Sequence, residues 1–185
     1  MNSALRKRGA SAGDQASSEQ RRRSILEFIR TSSGPISGAE LAKRARVSRQ
    51  CLVQDIAILR AAGEEIVATP RGYRFPEASN HAHRAVLACR HSPERTEEEL
   101  QILVDHGVRI LDVIVEHPLY GELRGSLMLE SRADVRDFLT RVKATHASLL
   151  SSLTGGIHLH TVEASRAEVI SRARARLRER GFLLK

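Results

Sequence analysis

His158 and His160 lie two residues apart in the segment Ile157-His158-Leu159-His160-Thr161, which reads as a strand. A strand sends residues i and i+2 to the same face, with Cα atoms roughly 6.5–7 Å apart. Two imidazoles at that spacing can converge on one metal ion at about 2.0–2.1 Å per bond. Strand histidines also serve as half-buried hydrogen-bonding residues, and the pair alone leaves both uses open. His91 and Glu99 add to the metal reading. His91 ends another strand and Glu99 falls in the first turn of the following helix, so one strand-to-helix turn could bring them together. Glu99 has a competing use, since Thr96-x-x-Glu99 has the form of a helix-capping box. Spacing therefore leaves open both a site of three histidines and one carboxylate and a set of separate structural roles.

The other histidines are less pointed. His117-Pro118-Leu119-Tyr120-Gly121 is a polar cluster between two strands, or simply a turn with an aromatic lid. His106 precedes the helix-stopping Gly107 and suits a helix C-terminus. His81 and His83 fall in a linker, and His146 has no evident partner. Cys51 and Cys89 form no CxxC pair, which fits a reducing cytoplasm; Cys51 reads as a small filler.

A second chemistry lies nearer the amino terminus. Arg49, Gln50 and Gln54 fall off the apolar stripe Leu52/Ile56/Leu59, so they project from the outer face of one helix. Arg pairs bidentately with guanine and Gln with adenine in the major groove. Ser48 can cap that helix and touch a phosphate. Lys43, Arg71, Arg74 and the run Arg21-Arg22-Arg23 are sequence-neutral phosphate candidates. The arginines of the last helix, Arg172 to Arg180, point all round and read as a mostly solvated face. Charge agrees with this division. Residues 1–75 hold 14 Lys and Arg against 7 Asp and Glu, while the remainder holds 16 against 15. Nearly all of the +8 excess thus sits in the first part of a 185-residue chain, as expected of a nucleic-acid-binding half joined to a neutral one.

The elements that position these residues fall into two α+β domains. Residues 1–19 lack periodicity and read as a disordered tail. In residues 20–76, a helix carries Ile25, Leu26 and Ile29 on one face. Ser37-Gly38-Ala39-Glu40 has capping-box form and opens a second helix; Ser48 opens a third, stopped by Gly63. A Pro70-Arg71-Gly72 turn then joins two short strands. This order describes a winged helix-turn-helix. Ile36 to Ala42, Val47 to Gln50, Asp55-Ile56 and Gly72-Tyr73 resemble the winged helices of the biotin repressor and related bacterial regulators. Residues 77–84 read as a linker. Residues 85–185 alternate as β-α-β-β-α-β-α, an open-faced sandwich with one antiparallel sheet and helices on one face. Ser131 caps its second helix, and Ser165-x-x-Glu168 reads as a capping box for the last. With 3% aromatics and no Trp, the core must be aliphatic. No apolar run is long enough to span a bilayer, and the amino terminus lacks a secretory pattern.

At the second domain the motifs Cys89-Arg90-His91-x7-Glu99, Asp105-His106-Gly107, Glu116-His117-Pro118-x-Tyr120 and Leu153-Thr154-x-Gly156-x-His158-Leu159-His160 resemble the three-histidine (3H) domain. Together with the winged helix, residues 20–185 resemble the niacin-responsive repressors of NAD biosynthesis and niacin uptake. That resemblance implies a homodimeric bacterial repressor, cytoplasmic and not an enzyme, that binds double-stranded operator DNA with nicotinic acid as co-repressor. It implies an HPr-like topology for the second domain. It also implies one divalent transition metal per chain (zinc, nickel, iron or cobalt), with ligands carried by position onto His91, Glu99, His158 and His160. His117 and Tyr120 are then expected to line the effector pocket.

Three other readings compete. A metal-responsive repressor would keep the DNA-binding half and make the ion the signal. A metal-dependent hydrolase could activate water at an open coordination position, but no separate general base stands near the ligands in sequence. A phosphohistidine carrier needs a lone nucleophilic histidine at a helix N-terminus, unlike this paired arrangement.

Overall fold

In a computed structural model, which describes residues 12–76 and 83–184, the chain separates into two compact units, Met1–Pro76 and Glu77–Lys185. The linker reading at 77–84 falls for the most part outside the described residues; His83 and Arg84 already belong to a strand.

The first unit comprises helices α1 (Ala12–Arg30), α2 (Gly38–Arg44) and α3 (Arg49–Ala61), and the hairpin of β1 (Val67–Thr69) and β2 (Gly72–Arg74). Residues 1–11 of the expected tail lie outside the described residues, and helix α1 begins at Ala12 within it. Ile25 and Ile29 of α1, Leu41 and Ala42 of α2 and the stripe Leu52/Ile56/Leu59 of α3 meet in one core with Ile36 and Ile66. The Ser37 and Ser48 hydroxyls accept from the backbone N–H groups of Glu40 and Cys51 and start their helices. Glu40 does not complete a reciprocal box; its carboxylate pairs with Arg44 one turn on. The hairpin is tied to the helices by Ile36, whose backbone bonds to Tyr73 in both directions. Gly72 has φ +139°, and a Cβ there would collide with the Ile36 carbonyl, so this crossing requires glycine.

The second unit holds strands β3 (His83–Arg90), β4 (Arg109–His117), β5 (Gly121–Leu129) and β6 (Ile157–Ala164), and helices α4 (Thr96–Asp105), α5 (Arg132–Thr145) and α6 (Ala167–Glu179). The sheet is antiparallel throughout, in the order β3-β6-β4-β5. Along β6, His158, His160, Val162 and Ala164 share one face, as the strand period of two requires. Val162 and Ala164 enter the same core as Leu87 and Cys89 of β3, Leu100 and Leu103 of α4, and Val169, Ile170 and Leu177 of α6. Val86 points the other way and is 55% exposed, as in an open-faced sandwich.

Two expected capping boxes are absent. Helix α4 is entered through a 3-10 turn, Pro93–Arg95, and Thr96 makes no capping bond. Helix α6 starts from Arg166 without a side-chain cap. The box at α5 is complete, with Ser131 and Asp134 bonding reciprocally. A local S-x-x-E pattern forms a box only where the glutamate is not drawn elsewhere, and Glu99 is drawn inward.

Candidate functional site

Helix α4 delivers Glu99, fully buried, to the helix-facing side of the sheet, where β6 presents His158 and His160 and the end of β3 presents His91. Glu99 Oε2 lies 2.7 Å from His91 Nε2, 3.3 Å from His158 Nε2 and 3.5 Å from His160 Nε2. The opposite ring nitrogens face backbone carbonyls: His91 Nδ1 that of Ser92 at 2.7 Å, His158 Nδ1 that of Gly156 at 2.9 Å, and His160 Nδ1 that of Asp112 at 2.7 Å. A carbonyl only accepts, so each Nδ1 carries a proton and each Nε2 faces Glu99, as a proton donor to the carboxylate in the metal-free cluster and as a lone-pair donor where an ion is bound. The four residues expected from spacing and resemblance are thus brought together.

The electrostatics are those of a compensated buried cluster. Burial disfavours charge on His91 and His160, but the hydrogen bond and charge of Glu99 outweigh it and raise both pKa values above the ordinary one. Burial likewise opposes the Glu99 carboxylate, yet His160, His158 and His91 hold its pKa well below the usual range. Glu99 Oε1 is buried without a hydrogen bond of normal geometry. Three inward-facing imidazoles, a buried carboxylate and an unsatisfied oxygen make a donor set that fits a divalent transition ion. Sequence reasoning passed over one neighbour. Cys89 Sγ, a Glu99 oxygen and a His158 ring nitrogen lie within 4.8 Å of one another. Burial, with Glu99 adding to it, pushes the Cys89 thiol pKa up.

The shell behind His91 comes from distant parts of the chain. Gly156 has φ +90° and its missing Cβ leaves room for the His91 carbonyl. The Phe182 ring meets His91 edge-on with centroids 5.3 Å apart and lies 4.0 Å below the Arg95 guanidinium. The Phe182 carbonyl accepts from Arg90 N–H at 2.8 Å. A pocket of about 450 Å³ borders His91, lined also by Arg90, Ser92, Ser152, Gly155 and Gly156. Neither His117 nor Tyr120 lines it. Those two stack on each other at 4.9 Å, with Tyr120 68% exposed, and His117 Nδ1 accepts from the backbone N–H groups of Leu119 and Tyr120.

On the first unit, Ser48, Arg49, Gln50 and Gln54 are exposed along the outer face of α3, and Lys43 is exposed on α2. Val53, 50% exposed between the two glutamines, completes that face and was not singled out from the sequence. Arg71 is half-buried at the hairpin turn. Arg74 does not fit the phosphate role expected of it. It is 7% exposed and its Nε donates to the Phe75 carbonyl. Arg21 and Arg22 are also committed inward. Arg21 grips buried Asp55 through two nitrogens at 2.7 and 3.0 Å, and Arg22 approaches the same carboxylate at 3.5 Å.

Comparison with known proteins agrees with both halves. A 3H domain model matches residues 84–185 and a helix-turn-helix domain model matches residues 21–74. The chain is 44% identical over 168 residues to a protein named transcription repressor NadR from Bacillus subtilis, covering 89% of this chain and 93% of that one. It is 45% identical over 166 residues to a probable transcription repressor NiaR from Thermotoga maritima, covering 90% and 94%. Both relatives are named as regulators and neither as an enzyme. The chain belongs to the family of transcription repressors that join a helix-turn-helix DNA-binding domain to a 3H domain.

Proposed function

We propose that the protein is a homodimeric cytoplasmic repressor of NAD-biosynthesis and niacin-uptake genes, with nicotinic acid as co-repressor and one divalent transition metal in each 3H domain. The convergence of His91, His158 and His160 on Glu99 carries this reading, because it puts a metal-binding donor set in the same chain as a helix-turn-helix. Arg49, Gln50 and Gln54 read base edges in the major groove, Ser48 and Lys43 contact phosphates, and Arg71 follows the backbone from the hairpin. In a dimer on a two-fold operator, the two α3 helices enter half-sites about 34 Å apart, or a multiple of that. The ion, when bound, supplies a Lewis-acid centre beside which a pyridine carboxylate can sit. His91, Glu99, His158 and His160 hold it, and Arg90 at the mouth of the adjoining pocket offers the effector's carboxylate a cation. His117 and Tyr120, which stack on each other on the β4–β5 hairpin and do not line that pocket, are a second candidate surface for the pyridine ring.

Calorimetric titration of nicotinic acid and nicotinamide into metal-loaded protein tests this, repeated after chelation and with His158→Ala. Binding of nicotinic acid that disappears on chelation is expected. Binding that survives chelation would leave the metal a structural part. The burial of all four donor side chains favours a second reading, in which the ion itself is the signal. Failure of both vitamers to bind, with operator affinity still following the metal, would select it.

A further inference from the structure

Cys89 is the metal-affine side chain of this cluster that a site of three histidines and one carboxylate leaves unused. It is fully buried and stands directly opposite His158 in the antiparallel register of β3 and β6. Cross-strand partners hold their Cβ atoms about 4.5–5.5 Å apart on one face, so the ladder that aims His158 at Glu99 aims Cys89 there too. Its Sγ comes within 4.8 Å of donor atoms of both Glu99 and His158. Glu99 Oε1, buried and unsatisfied, is an independent sign that the cluster awaits a cation there. The geometry points to Cys89 Sγ as a fifth donor of the metal centre, which makes this a nitrogen, oxygen and sulfur site suited to zinc, cobalt or nickel rather than to ions that prefer oxygen alone.

The inference rests on the metal reading above and narrows it. Coordination by Cys89 would exchange its S–H bond for a sulfur–metal bond, with the proton passing to buffer. Were Cys89 only a small apolar filler of this wall, substitution by a residue of similar size would leave the ion's ligand field unchanged.

The test is cobalt(II) loading of the full chain carrying Cys51→Ser, which leaves Cys89 as its single cysteine. Visible d–d bands report that the ion is seated. A thiolate-to-cobalt charge-transfer band in the near ultraviolet reports the sulfur. Both are expected, with the charge-transfer band lost in the Cys51→Ser, Cys89→Ser double variant while the visible bands remain. Visible bands without charge transfer would overturn the role of Cys89 and leave the metal reading standing. Absence of any cobalt spectrum would overturn the metal reading and this inference with it. Should the double variant fail to fold, X-ray absorption of the zinc-loaded Cys51→Ser protein decides. One sulfur at about 2.3 Å supports the assignment, and a shell of nitrogen and oxygen alone refutes it.

Discussion

Each histidine of the cluster gives one ring nitrogen to a backbone carbonyl and turns the other toward Glu99, so the convergence of the three rings depends on where those carbonyls are held. Gly156 is the most exacting of these supports. It accepts from His158, adopts φ +90°, and leaves no room for a Cβ against the His91 carbonyl. Gly156→Ala should therefore weaken metal binding by about tenfold or more, in the range found for lost outer-shell support, while operator-independent properties of the first unit stay as they are. Competition against a chromophoric chelator measures it, and unaltered affinity would mean the His91 loop simply moves aside. The titration of the cluster gives a second expectation at this scale. In chelated protein the raised pKa values of His91 and His160 make their pairing with Glu99 fully stabilising below the ordinary histidine value of 6.5, and that contribution is lost as pH rises through the folded values. Glu99, depressed, contributes above the ordinary 4.5 and loses its contribution as pH falls through its folded value. The chelated second unit should be most stable in mildly acidic solution, with Tm falling toward alkaline pH. Added metal competes with protons for Nε2 and should oppose that fall. A chelated Tm that climbs steadily from about pH 5 to about pH 9 would contradict this.

Between elements, the joint of α1 with α3 is an ion pair rather than only an apolar seam. Asp55, 2% exposed, accepts two hydrogen bonds from Arg21, whose side chain still reaches solvent. Asp55→Ala should cost on the order of 2 kcal/mol, the scale of charged hydrogen bonds removed from a partly buried site, and should tilt α3 enough to weaken operator binding. Urea denaturation measures the first effect; a change within error would mean that the apolar core alone fixes the joint. This joint also shows where the sequence was legible. The stripe Leu52/Ile56/Leu59, the Ser48 and Ser131 caps and the order of strands are local patterns of period and spacing, and they appear as expected. Residues 12–19 carry no apolar stripe and include Gly13, Asp14, Ser17 and Ser18, so nothing local announces that α1 begins at Ala12. Arg21, Arg22 and Arg74 read as free cations because nothing local reveals that Asp55 is buried or that Phe75 offers its carbonyl. Glu99 fits two local templates, and only its distance from three histidines on other elements decides between them. Cys89 was missed for the same reason, since its place depends on the pairing of β3 with β6 across most of the second unit.

At the scale of the whole chain, the basic excess of the first 75 residues and the near-neutral remainder match the division into a helix-turn-helix DNA-binding unit and a 3H unit. Phosphate contacts from the first unit should give an operator affinity that falls steeply with salt. Lys43→Ala should lower the slope by about one ion without altering base preference, whereas Arg49→Ala should relax it at one position. The coupling between units is a matter of linkage. If nicotinic acid is the co-repressor, its presence must raise operator affinity by some factor, and operator must raise the affinity for nicotinic acid by the same factor. A ligand can shift a repressor toward an operator-competent arrangement only through its differential affinity for the two arrangements. Titrating nicotinic acid into metal-loaded protein, and then into the protein–operator complex at the same salt, yields both affinities. A ratio matching the co-repression factor from operator binding would establish a niacin-linked switch between the two units. Equal affinities would mean that nicotinic acid, however tightly held, does not regulate DNA binding, and the role of effector would pass to the metal.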